Sequence, residues 1–382
     1  MMKNFPKSLQ QKLQQREENN ALRQLSLSND LIDFASNDYI GFAKSETVFH
    51  QTHQLLLDKK IKVNGATGSR LLTGNHILYQ EAEDFIADFH QSESALIFNS
   101  GYDANVGFFS SVPQRADVIL YDELCHASIR DGIQMSNAKS FKFEHNDLEA
   151  LEKLIKKFNS ENNDIYVVTE SVFSMDGDCP NLEKLTAISE KNGAYLILDE
   201  AHALGVFGEM GEGLVQSLGL QDQVFARIMT FGKGLGCHGA VILGSQELKK
   251  YLVNFTRSFI YTTGLSPHSV ATIFVGYQHL KEEKKTLEKL KKNIVFFSQE
   301  KMRLGLKPIF VYSKSAIQCA IIPGNKTVKD IAFLLQQKGF DVRPILSPTV
   351  REGQERLRFC LHSYNSQTEI SNVLQLLATF VF

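Results

Sequence analysis

Three places in this chain combine residue type and position in a way that suggests chemistry. The apolar run Leu196-Ile197-Leu198 ends in Asp199, and Glu200, Ala201 and His202 follow at once. Lys233 lies among glycines in "RIMTFGKGLGCHGAVILG", with an apolar run on either side. His126 stands in "YDELCHASIRDG". A lysine beside glycines, taken alone, reads as a solvated turn residue. Between two buried strands the same amine is poorly hydrated, gives up its proton more readily and becomes a nucleophile, as a Schiff base requires. An aspartate at a strand end can pair with the protonated pyridine nitrogen of a cofactor. His126 alone fits a helix cap or a core position.

Other chemistries use the same residues. Asp-Glu-Ala-His after a strand is the second signature of a helicase-like ATPase, which also needs GxxxxGK[ST] to hold phosphates. The Gly232-Lys233 pair is followed by Gly234, and Arg227 occupies the place of the first glycine. The motor reading fails. Gly234, Gly236 and Gly239 satisfy GxGxxG, but "AVILGS", a strand, follows where a dinucleotide fingerprint needs a helix. These glycines are expected to turn the backbone tightly around Lys233. Asp199, His202 and His126 lack metal-ligand spacing, and no metal is expected.

The 382 residues carry a formal net charge of −2 with acids and bases interspersed, so no basic field for nucleic acid is present. Cys125, Cys179, Cys237, Cys319 and Cys360 are scattered without a CxxC pair, which fits a reducing compartment. The first twenty residues are too polar for a signal peptide, and no apolar run reaches membrane-spanning length. A cytoplasmic protein with neither nucleic acid nor membrane as partner is expected.

Elements must position these groups. "SALIFN", "DVILY", "KSFKFE", "DIYVVTE", "AYLILD" and "RIMTF" read as short buried strands, with helical patterns such as "HILYQEAEDFIADFH", "DLEALEKLIKKF" and "NLEKLTAISEK" among them. That alternation predicts an α/β fold with a mostly parallel sheet between helices, which binds ligands beyond the carboxyl ends of its strands. Beyond about residue 265, one long charged helix, "GYQHLKEEKKTLEKLKKNIVFFSQEKM", precedes a smaller α+β unit containing "AIQCAIIP", "DVRPIL" and "ERLRFCLH". The expected division is 1–40, a helix contacting through Leu9, Leu13 and Leu22 and a strand packing with the small unit; 41–265, the large domain; and 266–382, the small domain.

The ordered motifs "FASNDYIGF", "FNSGYDAN", "CHASIRDG", "VVTESVFSMDGD", "LDEAHALGVFGEMGEG", "TFGKGLG" and "RLRFCLH" together carry a resemblance. The chain resembles the α-oxoamine synthases, pyridoxal 5'-phosphate (PLP) enzymes of the aspartate-aminotransferase fold, also called fold type I. The resemblance implies a decarboxylative, Claisen-type condensation of a small amino acid, here L-alanine, with an acyl thioester, here pimeloyl-CoA or a pimeloyl carrier protein. It implies a homodimer that shares its active sites. Lys233 would be the Schiff-base lysine and catalytic base, Asp199 the partner of the pyridine nitrogen, and His202 a hydrogen-bond partner of the phenolic oxygen. His126 would stack on the ring, and Ser174 would lie near the phenolic oxygen and the bound amino acid. Gly101, Tyr102 and Thr230 would hold the phosphate, joined by Thr262 or Thr263 from the partner subunit. Glu200 is read as structural.

For substrates, the resemblance gives Arg358 and Asn37 to the amino-acid carboxylate, with Arg356 as a solvated neighbour. Ser69 stands where glycine-specific relatives have threonine, leaving room for a methyl group. Arg23, Arg343 and Thr349 would meet the acyl chain. The segment after "ALRQL" is shorter than the family's, and "DVRPILSPTVREG" is longer. The alternatives are a synthase with another acyl donor, acetyl-CoA or a long-chain acyl group, and a catalytically silent partner subunit of this fold. The presence of Lys233, Asp199, His202 and His126 together argues against the silent form.

Overall fold

A computed structural model describes residues 5–23, 25 and 30–382. Its strands in chain order are β1 (Ile32–Asp33), β2 (Ser94–Phe98), β3 (Val118–Asp122), β4 (Lys139–Phe143), β5 (Ile165–Glu170), β6 (Tyr195–Asp199), β7 (Ala226–Thr230), β8 (Ala240–Gly244), β9 (Ile317–Ile321), β10 (Phe340–Asp341), β11 (Arg343–Ile345) and β12 (Arg356–Cys360). The chain divides into two compact units. The larger spans 37–174 and 178–291; the smaller comprises the described residues up to Ser36, 175–177 and 292–382.

The larger unit is built on a seven-stranded sheet in the order β2-β8-β7-β6-β5-β3-β4. β8 runs antiparallel to both of its neighbours, and the remaining pairings are parallel. Strands β2, β5 and β7 are buried along their whole length, which is why they read as unbroken apolar runs rather than alternating ones. One face packs Phe98, Phe108, Ile129, Ile197 and Ile242 into a core, and the other packs Leu120, Leu151, Val167, Leu185 and Leu198. Because β2, β3, β5, β6 and β7 point one way, Phe98, Asp122, Glu170, Asp199 and Thr230 end at a common edge. That edge is where an open α/β sheet offers helix N-termini and loops to a ligand.

The smaller unit holds the antiparallel sheet β11-β12-β9 and the parallel pair β1-β10. Its helix Lys7–Glu18 buries no residue, and Leu9 and Leu13 are 45% and 51% exposed. Those leucines are not buried as expected, because two leucines a turn apart on a polar helix make no continuous stripe. The shortened segment after "ALRQL" falls mostly on residues 26–29, outside the described residues.

Two further expectations are corrected. The long charged helix is two helices, Pro267–Glu282 and Lys284–Arg303. They part at Glu283, whose backbone (φ −84°, ψ 52°) leaves the helical region and whose carboxylate accepts the Thr286 hydroxyl at 2.7 Å. The division expected near residue 265 lies at 291 instead. Helix Pro267–Glu282 buries Val270, Ile273, Tyr277 and Leu280 and packs on helices Glu46–Asp58 and Ile77–Phe89 of the larger unit. At the other end the division lies at 36 rather than 40. Among the described residues no helix is long and apolar enough to cross a membrane.

Candidate active site

The site is assembled from the residues that follow the converging strand ends. After β2, Asn99 and Ser100 lead into the helix Gly101–Ser111, where Ser100 Oγ caps the N–H of Asp103 at 3.0 Å. The amides of Gly101 and Tyr102 open this helix, where first-turn N–H groups have no intrahelical partner and the dipole favours an anion. Gly101 is required by crowding: a Cβ there would lie 2.4 Å from Thr230 Cγ2. Thr230 ends β7, and its Oγ1 is buried without a hydrogen-bond partner among the described residues. A buried hydroxyl left unpaired costs about 1–3 kcal/mol, and an anionic oxygen at this helix end would satisfy it. The Tyr102 side chain turns to Asp131, donating to Oδ2 at 2.8 Å, so what it presents at this helix end is its amide.

Asp199 ends β6 and is 4% exposed. Its Oδ1 accepts the Ala201 N–H at 2.9 Å and its Oδ2 accepts Asn105 Nδ2 at 2.8 Å. Asn105 also donates to Ser128 Oγ at 3.0 Å, and Ser128 Oγ lies 2.7 Å from His126 Nδ1. His126 is the N-cap of helix Ala127–Met135: its Nδ1 accepts the Ser128 N–H at 3.2 Å. Its own N–H donates to Glu170 Oε1 at 2.7 Å. The helix cap expected of a lone histidine is present. Burial pushes the His126 ring below its usual pKa, helped by Lys233 and opposed by Asp199. Glu170 faces Asp199 in register across β5 and β6; burial and that carboxylate push it up to about 8.

His202 is 4% exposed, and its Nδ1 lies 2.6 Å from the hydroxyl of the fully buried Tyr39. The Tyr39 hydroxyl also reaches Asn37 Oδ1 at 3.3 Å. Lys233 is half-buried in the turn joining β7 to β8. Gly234 is forced there, since a Cβ would lie 2.2 Å from the Leu204 carbonyl, and Gly236 has φ +64°. These glycines shape the Lys233 turn, and "AVILG" after them is strand β8. Glu200 is buried and accepts the N–H groups of Leu214 and Val215 at 2.8 and 3.0 Å, a structural cap.

Within the larger unit, the structure gathers Gly101 with Thr230, Asp199 with His126, and His202 with Asn37. Ser174 lies on the loop after β5. Ser69 lies in a turn whose Gly68 carbonyl accepts the Gly264 N–H at 3.0 Å, next to Thr263. Asn99 donates to the Thr263 carbonyl at 2.7 Å and to Thr262 Oγ1 at 2.9 Å. In the smaller unit, Arg358 on β12 pairs in register with Arg343 on β11. Arg343 Nε lies 2.8 Å from Asp341 Oδ1, and Arg23 Nη2 lies 3.4 Å from Thr349 Oγ1. Arg356 is a correction. It is 5% exposed and ion-paired with Asp176, not solvated, because β12 is the middle strand of its sheet and is buried at four of its five positions. Sequence reasoning passed over Asn105, Ser128, Tyr39 and Glu170. Each stands inside a quoted motif, but none is of a type that announces chemistry without its partners.

The profile of the family "Aminotransferase class I and II" matches residues 29–377. The chain belongs to that family. It is similar to the 8-amino-7-oxononanoate synthase of Emericella nidulans, 37% identical over 98% of this chain and 95% of that protein. The putative 8-amino-7-oxononanoate synthase of Halalkalibacterium halodurans is 39% identical over 89% of this chain and 84% of that protein. Among solved structures, a variant of serine palmitoyltransferase from S. paucimobilis with a bound PLP–myriocin aldimine matches at TM-score 0.88 and 25% identity, covering 98% of this chain and 96% of that one. The 8-amino-7-oxononanoate synthase of Francisella tularensis matches at TM-score 0.78 and 28% identity, covering 93% and 98%. The resemblance read from the motifs is borne out: the fold is that of the type I PLP enzymes, and the chain is a PLP-dependent acyltransferase of the α-oxoamine synthase kind.

Proposed function

We propose that this enzyme condenses L-alanine with a pimeloyl thioester, with loss of carbon dioxide, to give 8-amino-7-oxononanoate, a step of biotin biosynthesis. The observation that carries the reading is the near-full-length likeness to 8-amino-7-oxononanoate synthases, joined to the buried, unpartnered Thr230 hydroxyl beside the helix start at Gly101, which suits a phosphate. PLP, when bound, supplies an electron sink for the pair left when the amino acid loses its α-proton. Lys233 Nζ anchors the cofactor and, once released, takes that proton, so it works in its neutral form. Asp199 supplies a carboxylate for the pyridine nitrogen, positioned by the Ala201 N–H and Asn105 Nδ2. His202 orients the phenolic oxygen and His126 supports the ring face. Gly101, Tyr102 and Thr230 bind the phosphate, and Ser174 completes the ring's contacts.

Arg358 suits the amino-acid carboxylate because its bidentate fork matches two oxygens, with Asn37 as its helper and Ser69 admitting the methyl group. Arg23, Arg343 and Thr349 are assigned to the acyl chain. The Arg23–Thr349 approach supports pairing the two in one role. The working form in this reading is a cytoplasmic homodimer, with Thr263 serving the partner's phosphate.

A second reading is favoured by the likeness to serine palmitoyltransferase: L-serine and a long-chain acyl thioester. Purified protein loaded with PLP should be offered alanine, glycine and serine against pimeloyl-, acetyl- and palmitoyl-CoA, with products identified by mass. Preference for alanine with pimeloyl-CoA is expected. Preference for serine with palmitoyl-CoA would replace it.

A further inference from the structure

We propose that Asn105 and Ser128 are positioning residues that hold His126 neutral, with its proton on Nε2, through a chain of hydrogen bonds that begins at Asp199. The inference rests on the reading of His126 as a residue of the cofactor site, but its test needs neither cofactor nor substrate.

The direction of every bond in the chain follows from what each group can do. A carboxylate accepts, so the Asn105 atom 2.8 Å from Asp199 Oδ2 is the NH2 nitrogen. Turning the amide over would set carbonyl oxygen against carboxylate. The observed orientation leaves Asn105 Oδ1 buried without a partner among the described residues, so Asp199 decides the orientation and the amide's own satisfaction does not. The same NH2 lies 3.0 Å from Ser128 Oγ, which must therefore accept. The Ser128 hydroxyl proton is then free to point along the 2.7 Å contact to His126 Nδ1. A second donor meets the same atom: the Ser128 backbone N–H, 3.2 Å away, which cannot reverse. Two donors on Nδ1 exclude a proton there. The imidazole is the Nε2–H form, and taking a second proton would break both the helix cap and the serine bond.

The charges around the ring agree. Burial lowers its pKa first, and Lys233 and Arg130 act in the same direction, while Asp199 and Asp131 oppose them. Among the described residues, Glu170 meets His126 at its backbone N–H. The consequence for the site is that His126 resists becoming a cation that would compete for Asp199, and that its remaining proton is offered on Nε2.

The test uses the full-length apoprotein labelled with 15N-histidine, with His126 assigned by loss of its signal in His126→Gln. In the wild type, nitrogen shifts at pH 7 should report a neutral ring protonated on Nε2. Ser128→Ala should raise the titration midpoint by about half to one pH unit, roughly three- to tenfold in proton affinity. Asn105→Ala should raise it in the same direction, and Ser128→Thr, which keeps a hydroxyl, should restore the wild-type midpoint. A purely structural role for Ser128 would change melting temperature and leave the midpoint alone. An Nδ1–H or charged His126 in the wild type, or an unmoved midpoint in Ser128→Ala, would overturn the proposal. Failure of the alanine condensation with an intact midpoint shift would count against the proposed function and not against this chain of bonds.

Discussion

Gly101 and Thr230 approach so closely that a single added Cβ would stand 2.4 Å from Thr230 Cγ2. One residue opens a helix and the other ends a strand, and the space between them admits backbone amides and a hydroxyl but no extra carbon. Gly101→Ala should therefore move the helix end away from Thr230 and weaken PLP binding. Losing one charge-assisted hydrogen bond is worth about 1.5–3 kcal/mol, roughly tenfold to more than a hundredfold in Kd. Titration of apoprotein with PLP, followed by absorbance, reads it directly. An unchanged Kd would remove the phosphate from this pocket.

The Tyr39 hydroxyl, 2.6 Å from His202 Nδ1, fixes which way that ring turns. Tyr39→Phe keeps the buried ring and deletes the one hydroxyl. Turnover should fall by about twofold to twelvefold, the worth of a net hydrogen bond of roughly 0.5–1.5 kcal/mol, while PLP content stays near one per chain. A variant that loses PLP and keeps its turnover per bound PLP would contradict the role given to His202.

His145 bridges two carboxylates, with Nδ1 2.9 Å from Asp122 and Nε2 2.8 Å from Asp178. Burial alone would lower its pKa, but the bonds to Asp122 and Asp178 outweigh it and raise the ring to about 10. The folded state then holds a proton that the unfolded chain releases near the ordinary value of about 6.5. Its stabilisation is complete below that value and is lost as pH rises through about 10. The difference in melting temperature between wild type and His145→Asn should be largest at pH 6 and shrink by pH 10.5. A difference independent of pH would mean that His145 is neutral.

Much of the sheet was legible because β2, β5 and β7 are buried along their whole length, so "SALIFN", "DIYVVTE" and "RIMTF" stood out as apolar runs. Lys233 and Asp199 were legible because charges beside such runs need a reason. The helix break at Glu283 was not legible, since neither proline nor glycine marks it. The same limit hid Asn105 and Tyr39, whose importance lies in what they touch: partners 94 and 163 residues away. Arg356 was misread for a related reason, because only the fold brings Asp176 to it.

Arg23 is exposed, with its guanidinium 3.4 Å from Thr349 Oγ1. If the acyl chain ends in a carboxylate held there, Arg23→Ala should raise KM for pimeloyl-CoA. A charge-assisted bond of about 1.5–3 kcal/mol corresponds to roughly tenfold to more than a hundredfold. KM for alanine, and for an uncharged acyl chain of equal length, should change little. Equal changes for both acyl donors would take the carboxylate away from Arg23.

The account turns on Lys233 as the residue that carries PLP. Holoenzyme reduced with borohydride, digested and mapped by mass should show a single phosphopyridoxyl group on the peptide containing Lys233. The Lys233→Ala protein, which still has Gly101 and Thr230 to bind the phosphate, should show PLP by absorbance but no label after reduction. Label on another lysine, or an unlabelled Lys233 peptide from fully active enzyme, would contradict the account.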